Sequence, residues 1–340
     1  MSTVVHGTSR EPRWKRLPVI WQLRQSVGLQ RGMLVAGLLL CLMFVIMALL
    51  APVLAPYSFN QLSDDAGNFP RTAPPSDAHP WGTTVGGFDV LSRVIWGAQT
   101  ALSTVIIAVV ASLFLGVLLG LVSGYLGGWV DRVLVTIADA VYAFPTLLLA
   151  IVMSIVISGG QSSKWGGIMA AALSITVVFV PQYFRVVRAE TVRLKAEPFI
   201  ESAQVIGTST PRILSRHVLR NATRSLPLII TLNASEAILT LAALGFLGFG
   251  IVPTAAAEWG YDLNRALADV ASGIWWTGIF PGLAIVLLVM GVTLVGEGLN
   301  DLSDPRLRIR RRVAGTVTAT TGAAADLATT SATTTEGGRP

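Results

Sequence analysis

The sequence predicts an all-α membrane protein with six spanning helices. Composition, apolar run length and charge placement carry that expectation. Of 340 residues, 52% are hydrophobic and 13% charged. Soluble domains carry about 25% charged residues. The mean hydropathy is +0.64, so polar side chains are too few to cover a water-soluble surface. Six apolar stretches, 33–55, 99–123, 133–157, 166–184, 225–251 and 278–299, approach or exceed the ~20 residues that cross a bilayer. With the N-terminus inside, 21 of the 25 Lys and Arg fall on the inner side and 4 on the outer. That bias places both termini and segment 185–224 in the cytoplasm, although tails and long loops contribute to it more weakly than short ones.

The elements follow in order. Residues 1–32 form a basic cytoplasmic segment. The first apolar stretch, 33–55, is too long for a signal-peptide core and reads as a retained anchor. Segment 56–98, rich in Pro, Gly and Asp, is extracytoplasmic. It ends in FDVLSRVIWG, where Val90, Leu91, Val94 and Ile95 recur at helical spacing. A short interfacial helix is expected there, with Trp96 at headgroup level. Spans three and four contain Pro145 and Pro181, which a span tolerates where neighbours satisfy the freed carbonyls. In the loop 185–224, Pro198 suits a first helical turn and Gly207 the left-handed residue that ends a helix. Ser209 or Thr210 can cap a second helix, with Pro211 at its first position. The tail, 309–340, becomes Thr/Ala/Gly-rich and is expected to be a disordered cytoplasmic extension.

The formal charge is +6. Its basic residues lie between apolar spans and at the ends, which fits anionic lipid rather than nucleic acid. The lone Cys41 excludes a disulfide framework and reads as a packing residue. No G-x-x-x-x-G-K-[ST], G-x-S-x-G or H-E-x-x-H string occurs, so the chain is not expected to bind ATP itself, and no cofactor or metal is expected. His217 lacks a second histidine nearby. The strings GYLGG and LGFLGFG fall in or beside spans, where close helix packing explains them better than phosphate binding. Three polar residues lie at membrane depth: Asp139 in span three, and Asn233 and Glu236 in span five. Such groups face a bundle interior or a watery path. Glu236 and Asn233 are candidates for lining a translocation path, against a structural interhelical hydrogen bond. Asp139 is a third candidate for that path, for which an ion pair with Arg132 or Arg185 is the favoured reading.

The string ESAQVIGTSTPRILSRHVL, Glu201 to Leu219, resembles the EAA loop of bacterial ABC importer permeases. Glu201, Ser202, Ala203, Gly207, Ile213, His217 and Leu219 match that motif. Four further strings resemble C-type permeases of the dipeptide/oligopeptide/nickel importer family. They are HPWGTTVGGFDVLSRVIWGAQTAL (79–102), GLVSGYLGGWVDRVLVTIADAVYAFPTLLLAI (120–151), AALGFLGFGIVPTAAAEWG (242–260) and FPGLAIVLLVMGVTLVGEGLNDLSDPRLR (280–308). Arg220 stands where the motif usually has Pro, which leaves the end of the second coupling helix open. Thr84 and Phe88 stand where the family commonly has Asp and Arg, and Gly245 replaces a frequent Ser.

The resemblance implies a type I ABC importer permease fold, with a core at 99–308, and a non-catalytic subunit in the cell membrane. It implies pairing with a homologous B-type permease, two ATPase subunits that bind ATP and Mg, and an extracytoplasmic substrate-binding protein. The implied cargo is a di- or oligopeptide. The same architecture also serves nickel, metal chelates, haem or glutathione. A stand-alone channel has no need of an ATPase-docking hairpin, and an intramembrane enzyme would need more polar residues at one depth than Asp139 and Glu236.

Overall fold

In the computed structural model, residues 29–65, 67–159, 163–223 and 225–303 are described. The expected basic N-terminal segment lies almost wholly outside these residues, and the tail 309–340 entirely so. Apart from a two-residue-per-strand hairpin, β1 (Ser63–Asp64) and β2 (Gly67–Asn68), the described regular structure is helical. Five helices are long and apolar enough to cross a membrane, and one bent pair makes a sixth candidate span. Residues 33–296 form one compact unit. The described part of a second unit, 29–32 and 297–303, consists of the ends of the first and last helices.

Helix α1 (Leu29–Leu49) stops short of the expected Ala55, and a single turn, α2 (Ala51–Leu54), follows. Pro52 explains the break. Proline has no N–H for the carbonyl four residues back, which is that of Ala48. Gln99 Nε2 donates to this carbonyl from a neighbouring helix, at 3.3 Å.

Helix α3 (Val90–Leu126) runs unbroken for 37 residues. The expected short interfacial helix is therefore corrected: Val90–Ile95 form the first turns of the spanning helix. Nothing between Ile95 and Ala101 terminates a helix, and Asp89 caps the start by accepting from Ser92 N at 2.8 Å. At ~1.5 Å per residue, α3 is ~55 Å long, well beyond the ~30 Å hydrocarbon core.

The expected third span is two helices, α4 (Gly128–Tyr142) and α5 (Thr146–Ser158), bent by 99°. Pro145 clashes with the helical carbonyl of Val141 and disfavours helix at Phe144. Pro181, by contrast, sits within a continuous helix, α6 (Lys164–Lys195). Ser163 starts α6 by accepting from Gly166 N at 3.0 Å. The helix outruns the expected 184, so Arg185–Lys195 are helical rather than loop.

Helix α3 packs on α6 through Gly116, Gly120 and Gly124, one per turn. A Cβ at Gly116 would lie 2.4 Å from Tyr183 Cβ, and one at Gly124 2.7 Å from Thr191 Cβ. Small residues at this spacing let helix backbones approach closely. Arg188 of α6 then clamps Asp131 of α4, with Nη2 2.7 Å from Oδ2, while Ser123 Oγ donates to the same carboxylate at 2.6 Å.

Short helices α7 (Pro198–Val205), α8 (Thr210–Ile213) and α9 (Leu219–Ala222) lead into α10 (Leu226–Phe246). An amphipathic helix absent from the sequence-based expectation, α11 (Trp259–Ala271), precedes the last span, α12 (Trp276–Ser303). The main buried cluster draws on every long helix, including Phe44, Val105, Ile175, Tyr183, Leu241 and Leu288. Many outward residues are apolar too, among them Leu39, Ile106, Phe114 and Val156, as a lipid-facing surface requires.

Candidate functional site

Polar and exposed features gather at both ends of α3 and within the bundle. At the C-terminal end, Lys195 Nζ donates to the Tyr125 carbonyl at 2.7 Å, and Gln204 Nε2 to the Tyr125 hydroxyl at 3.3 Å. The first ties the end of α6 to the end of α3, and the second ties α7 to it. Ile200 and Ala203, three residues apart on α7, are buried, as are Ile213, Val218 and Ala222 after the turn. Gly207 adopts φ +80, the left-handed conformation its sequence position suggested. Thr208 N donates to Ala203 O at 3.0 Å and Gly207 N to Gln204 O at 2.9 Å, the paired bonds of a Schellman ending.

The segment after Pro211 is not a simple helix. Leu214–Val218 form a π-helical turn between α8 and α9. Helical backbone continues through Arg220 to Ala222. His217 is half-buried in that turn, and its carbonyl accepts from Asn221 Nδ2 at 2.8 Å. The seven motif residues thus divide. Ala203 and Ile213 face the core, His217 and Leu219 are half-buried, and Glu201, Ser202 and Gly207 are exposed. Beside them lie two residues that sequence reasoning missed, Val205 at 87% exposure and Ile206 at 80%. Their signal was an apolar pair directly before the turn glycine of a basic loop. Arg212, Arg216 and Arg220, also exposed, follow at four-residue spacing.

Beside the bend between α4 and α5, Asp139 pairs with Arg185, Nη2 to Oδ1 2.8 Å, both side chains exposed, as the ion-pair reading expected, and not with Arg132. The Arg185 guanidinium lies 4.1 Å from the Tyr142 ring centroid. Tyr142 also lines a cavity of about 90 Å³ at the bend between α4 and α5, together with Phe144, Thr146, Gln182 and Glu236. Asn233 and Glu236 are not brought together. Glu236 is exposed toward the bend, whereas Asn233 is fully buried beside the Tyr183 hydroxyl. Neither the Asn233 amide nor that hydroxyl makes a well-formed hydrogen bond.

At the N-terminal end of α3, Arg93 is 1% exposed. Its Nε donates to both oxygens of Asp262, at 2.8 and 2.9 Å, and its Nη1 to the Phe59 carbonyl at 3.1 Å. His79 Nδ1 lies 3.0 Å from Asp89 Oδ1. Trp259 Nε1 donates to the Val94 carbonyl at 3.1 Å, over Gly97, where a Cβ would sit 2.2 Å from that nitrogen. Glu258 caps α11, accepting from Gly260 N at 2.8 Å and Tyr261 N at 2.7 Å. Burial pushes the Glu258 carboxyl up to about 8, against the opposing pull of those two N–H groups. Burial likewise raises Asp262, opposed by Arg93. Sequence reasoning missed this cluster, because the paired Arg93 and Asp262 lie 169 residues apart.

Comparison with known proteins is concordant along the chain. Residues 116–309 match the family described as "Binding-protein-dependent transport system inner membrane component". The chain is 37% identical over 279 residues to the glutathione transport system permease protein GsiD of Shigella flexneri serotype 5b, covering 82% of this chain and 88% of that protein. It is 34% identical over 274 residues to the dipeptide transport system permease protein DppC of Alkalihalophilus pseudofirmus, covering 81% and 86%. The GsiD of Escherichia coli O157:H7 is 36% identical over the same 82% of this chain. The helical architecture and candidate spans agree with the type I ABC permease fold. The chain belongs to the binding-protein-dependent transport system inner membrane components, as an ABC importer permease of the DppC/OppC type.

Proposed function

We propose that this permease forms half of the translocation pore of an ATP-driven importer for di- or oligopeptides. A homologous B-type permease supplies the other half. Two ATPase subunits, which hold ATP and Mg, act from the cytoplasm, and an extracytoplasmic binding protein delivers cargo. One ATPase docks on the loop Glu201–Leu219 of this chain. The observation that carries this reading is the division of that loop into two faces. Ile200, Ala203 and Ile213 anchor it to the bundle, while Val205, Ile206 and Glu201 project from it. An exposed apolar pair beside a carboxylate and three arginines suits a protein groove with an apolar floor and charged walls. The Schellman turn at Gly207 fixes the projecting tip, and the Lys195 and Gln204 bonds carry its displacement to the end of α3. For ATP to drive the pore, the ATPase must hold this loop differently in its two states.

Cargo passes Glu236 and the bend between α4 and α5 in this proposal, and Asn233 and the Asp139–Arg185 pair serve packing. A Glu236→Gln variant with unchanged transport kinetics overturns the role of that charge. Glutathione is the second cargo reading, supported by the GsiD relatives.

The testing experiment is co-purification of the detergent-solubilised chain, co-expressed with its genomic neighbours. The unmodified chain is expected to retain ATPase subunits. Glu201→Arg, Val205→Asp and Gly207→Pro are expected to lose them. Val205 touches little of its own chain, so its loss of partner does not reflect misfolding. Absence of ATPase from the unmodified chain defeats the proposal.

A further inference from the structure

At the N-terminal end of α3, a cavity of about 280 Å³ lies between the turn Thr84–Phe88 and one face of α11. Its charged lining is Asp262, Arg265 and Asp269. Asp262 is already neutralised by Arg93. The other two are not matched. Asp269 is 7% exposed, and no hydrogen bond or ion pair reaches its carboxylate among the described residues; Oδ2 is fully enclosed. A buried carboxylate without a partner is costly, and such groups call for an explanation. Arg265 precedes Asp269 by one helical turn, the spacing at which opposite charges can meet. Yet Arg265 reaches back, with Nε donating to the Tyr261 hydroxyl at 3.0 Å and the guanidinium 5.5 Å from that ring centroid. One cavity therefore presents an anion and a cation held apart on the same helix face. The Thr84 hydroxyl on the facing wall accepts from Phe88 N at 3.1 Å, and among the described residues no hydrogen bond takes its own proton.

We infer that this cavity is a binding site for a small zwitterion carrying a free ammonium and a free carboxylate, with Asp269 taking the ammonium and Arg265 the carboxylate. The separation matters. Side chains at this spacing have Cβ atoms ~5–6 Å apart; the Cα atoms of a dipeptide are one ~3.8 Å step apart, and its ammonium and carboxylate lie one bond beyond each, a comparable span. The volume sits just below the ~300–1,000 Å³ of ordinary ligand pockets, so it admits a dipeptide-sized molecule and not a long peptide. In its sidedness and cargo class the inference rests on the importer reading: the site is then a station on the extracytoplasmic side, where short peptides are recognised by both termini.

The test uses the full chain in lipid nanodiscs and radiolabelled alanyl-alanine in equilibrium dialysis. Saturable binding is expected. N-acetyl-alanyl-alanine and alanyl-alanine amide, each lacking one terminal charge, are expected to compete at least about tenfold more weakly, the loss of ~1.4 kcal/mol. Asp269→Asn is expected to weaken alanyl-alanine by a similar factor while leaving the N-acetyl peptide unchanged. Arg265→Gln is expected to do the reverse, sparing the amide. No saturable binding, blocked peptides that compete as well as the free one, or a variant that weakens all three peptides equally overturns the inference. Should Asp269→Asn not fold, the blocked peptides decide on the unmodified chain. ATPase co-purification, scored on the same preparations, fails independently if it is the importer reading that is wrong.

Discussion

Replacing Gly116 by Ala tests whether the α3–α6 contact is as tight as it looks. The added Cβ would lie 2.4 Å from Tyr183 Cβ and 3.0 Å from both Phe184 N and Val180 O. Carbon atoms prefer ~3.5–4.0 Å, so the helices must separate by about 1 Å at this level. Tyr183 cannot yield by rotating, because the clash is with its Cβ and with backbone. Gly120 and Gly124 are equally closed, against Phe184 O at 2.9 Å and Thr191 Cβ at 2.7 Å, so separation at one turn loosens the next two. Overpacking of this kind costs about 1–3 kcal/mol. Alanine returns up to ~1 kcal/mol through its better helix propensity. With the full return, the expected net loss is up to about 2 kcal/mol, read as a lower midpoint in thermal unfolding followed by size-exclusion chromatography in detergent. Gly282→Ala is the control. It has the same helix-propensity gain, but its nearest neighbour would be Leu263 Cδ2 at 3.6 Å, an ordinary contact, so its midpoint should hold or rise. Equal midpoints for Gly116→Ala and Gly282→Ala would refute the reasoning.

Two further outcomes follow from the other end of α3. Arg93→Met strands the buried Asp262 carboxylate and should destabilise by about 3–5 kcal/mol, whereas the double variant Arg93→Met/Asp262→Leu should recover a large part of it; thermal midpoints of both variants check this, and no recovery would contradict it. Glu258 gives the fold a pH dependence of definite sign. Its folded value, about 8, lies above the ordinary 4.5, so the folded state holds the proton longer than the unfolded chain does. Its contribution is present in full below about 4.5 and is lost as pH rises through about 8, with a slope of at most about 1.4 kcal/mol per unit. Midpoints measured from pH 5 to 8 should fall less steeply for Glu258→Gln than for the unmodified chain, and parallel profiles would show that Glu258 is not the titrating group.

Local signals in the sequence were readable where the physics is local. Pro198 opens α7, and Gly207 closes it at φ +80, because a missing N–H and a missing Cβ act within one turn. Of the glycines of GYLGG, Gly124 belongs to a close helix contact, as its place in a span suggested, whereas Gly127 and Gly128, at φ +69 and +60, form the open turn between α3 and α4. Proline was only half legible. Pro145 breaks its span by 99° while Pro181 leaves α6 continuous, so the presence of proline in a span does not by itself settle whether the helix breaks. The expected interfacial helix failed for a related reason: amphipathic spacing at Val90–Ile95 marks a helix face but not a helix end. Asn233 and Glu236, three residues apart, looked like one site and occupy different surroundings. Helix α11 was missed because a 13-residue amphipathic helix falls below the length and hydropathy that mark a span.

By itself, the sequence determined the membrane class, the approximate spans and the coupling-loop turn, each set by side-chain chemistry within a few residues or by composition over ~20. Only the tertiary structure decided which charges meet. The Arg93–Asp262 pair, the Asp139–Arg185 pair and the unmatched Asp269 beside Arg265 depend on which helix faces pack together. That packing is fixed by glycine contacts such as Gly97–Trp259 and Gly116–Tyr183, made between residues far apart in the chain, and no local pattern encodes them.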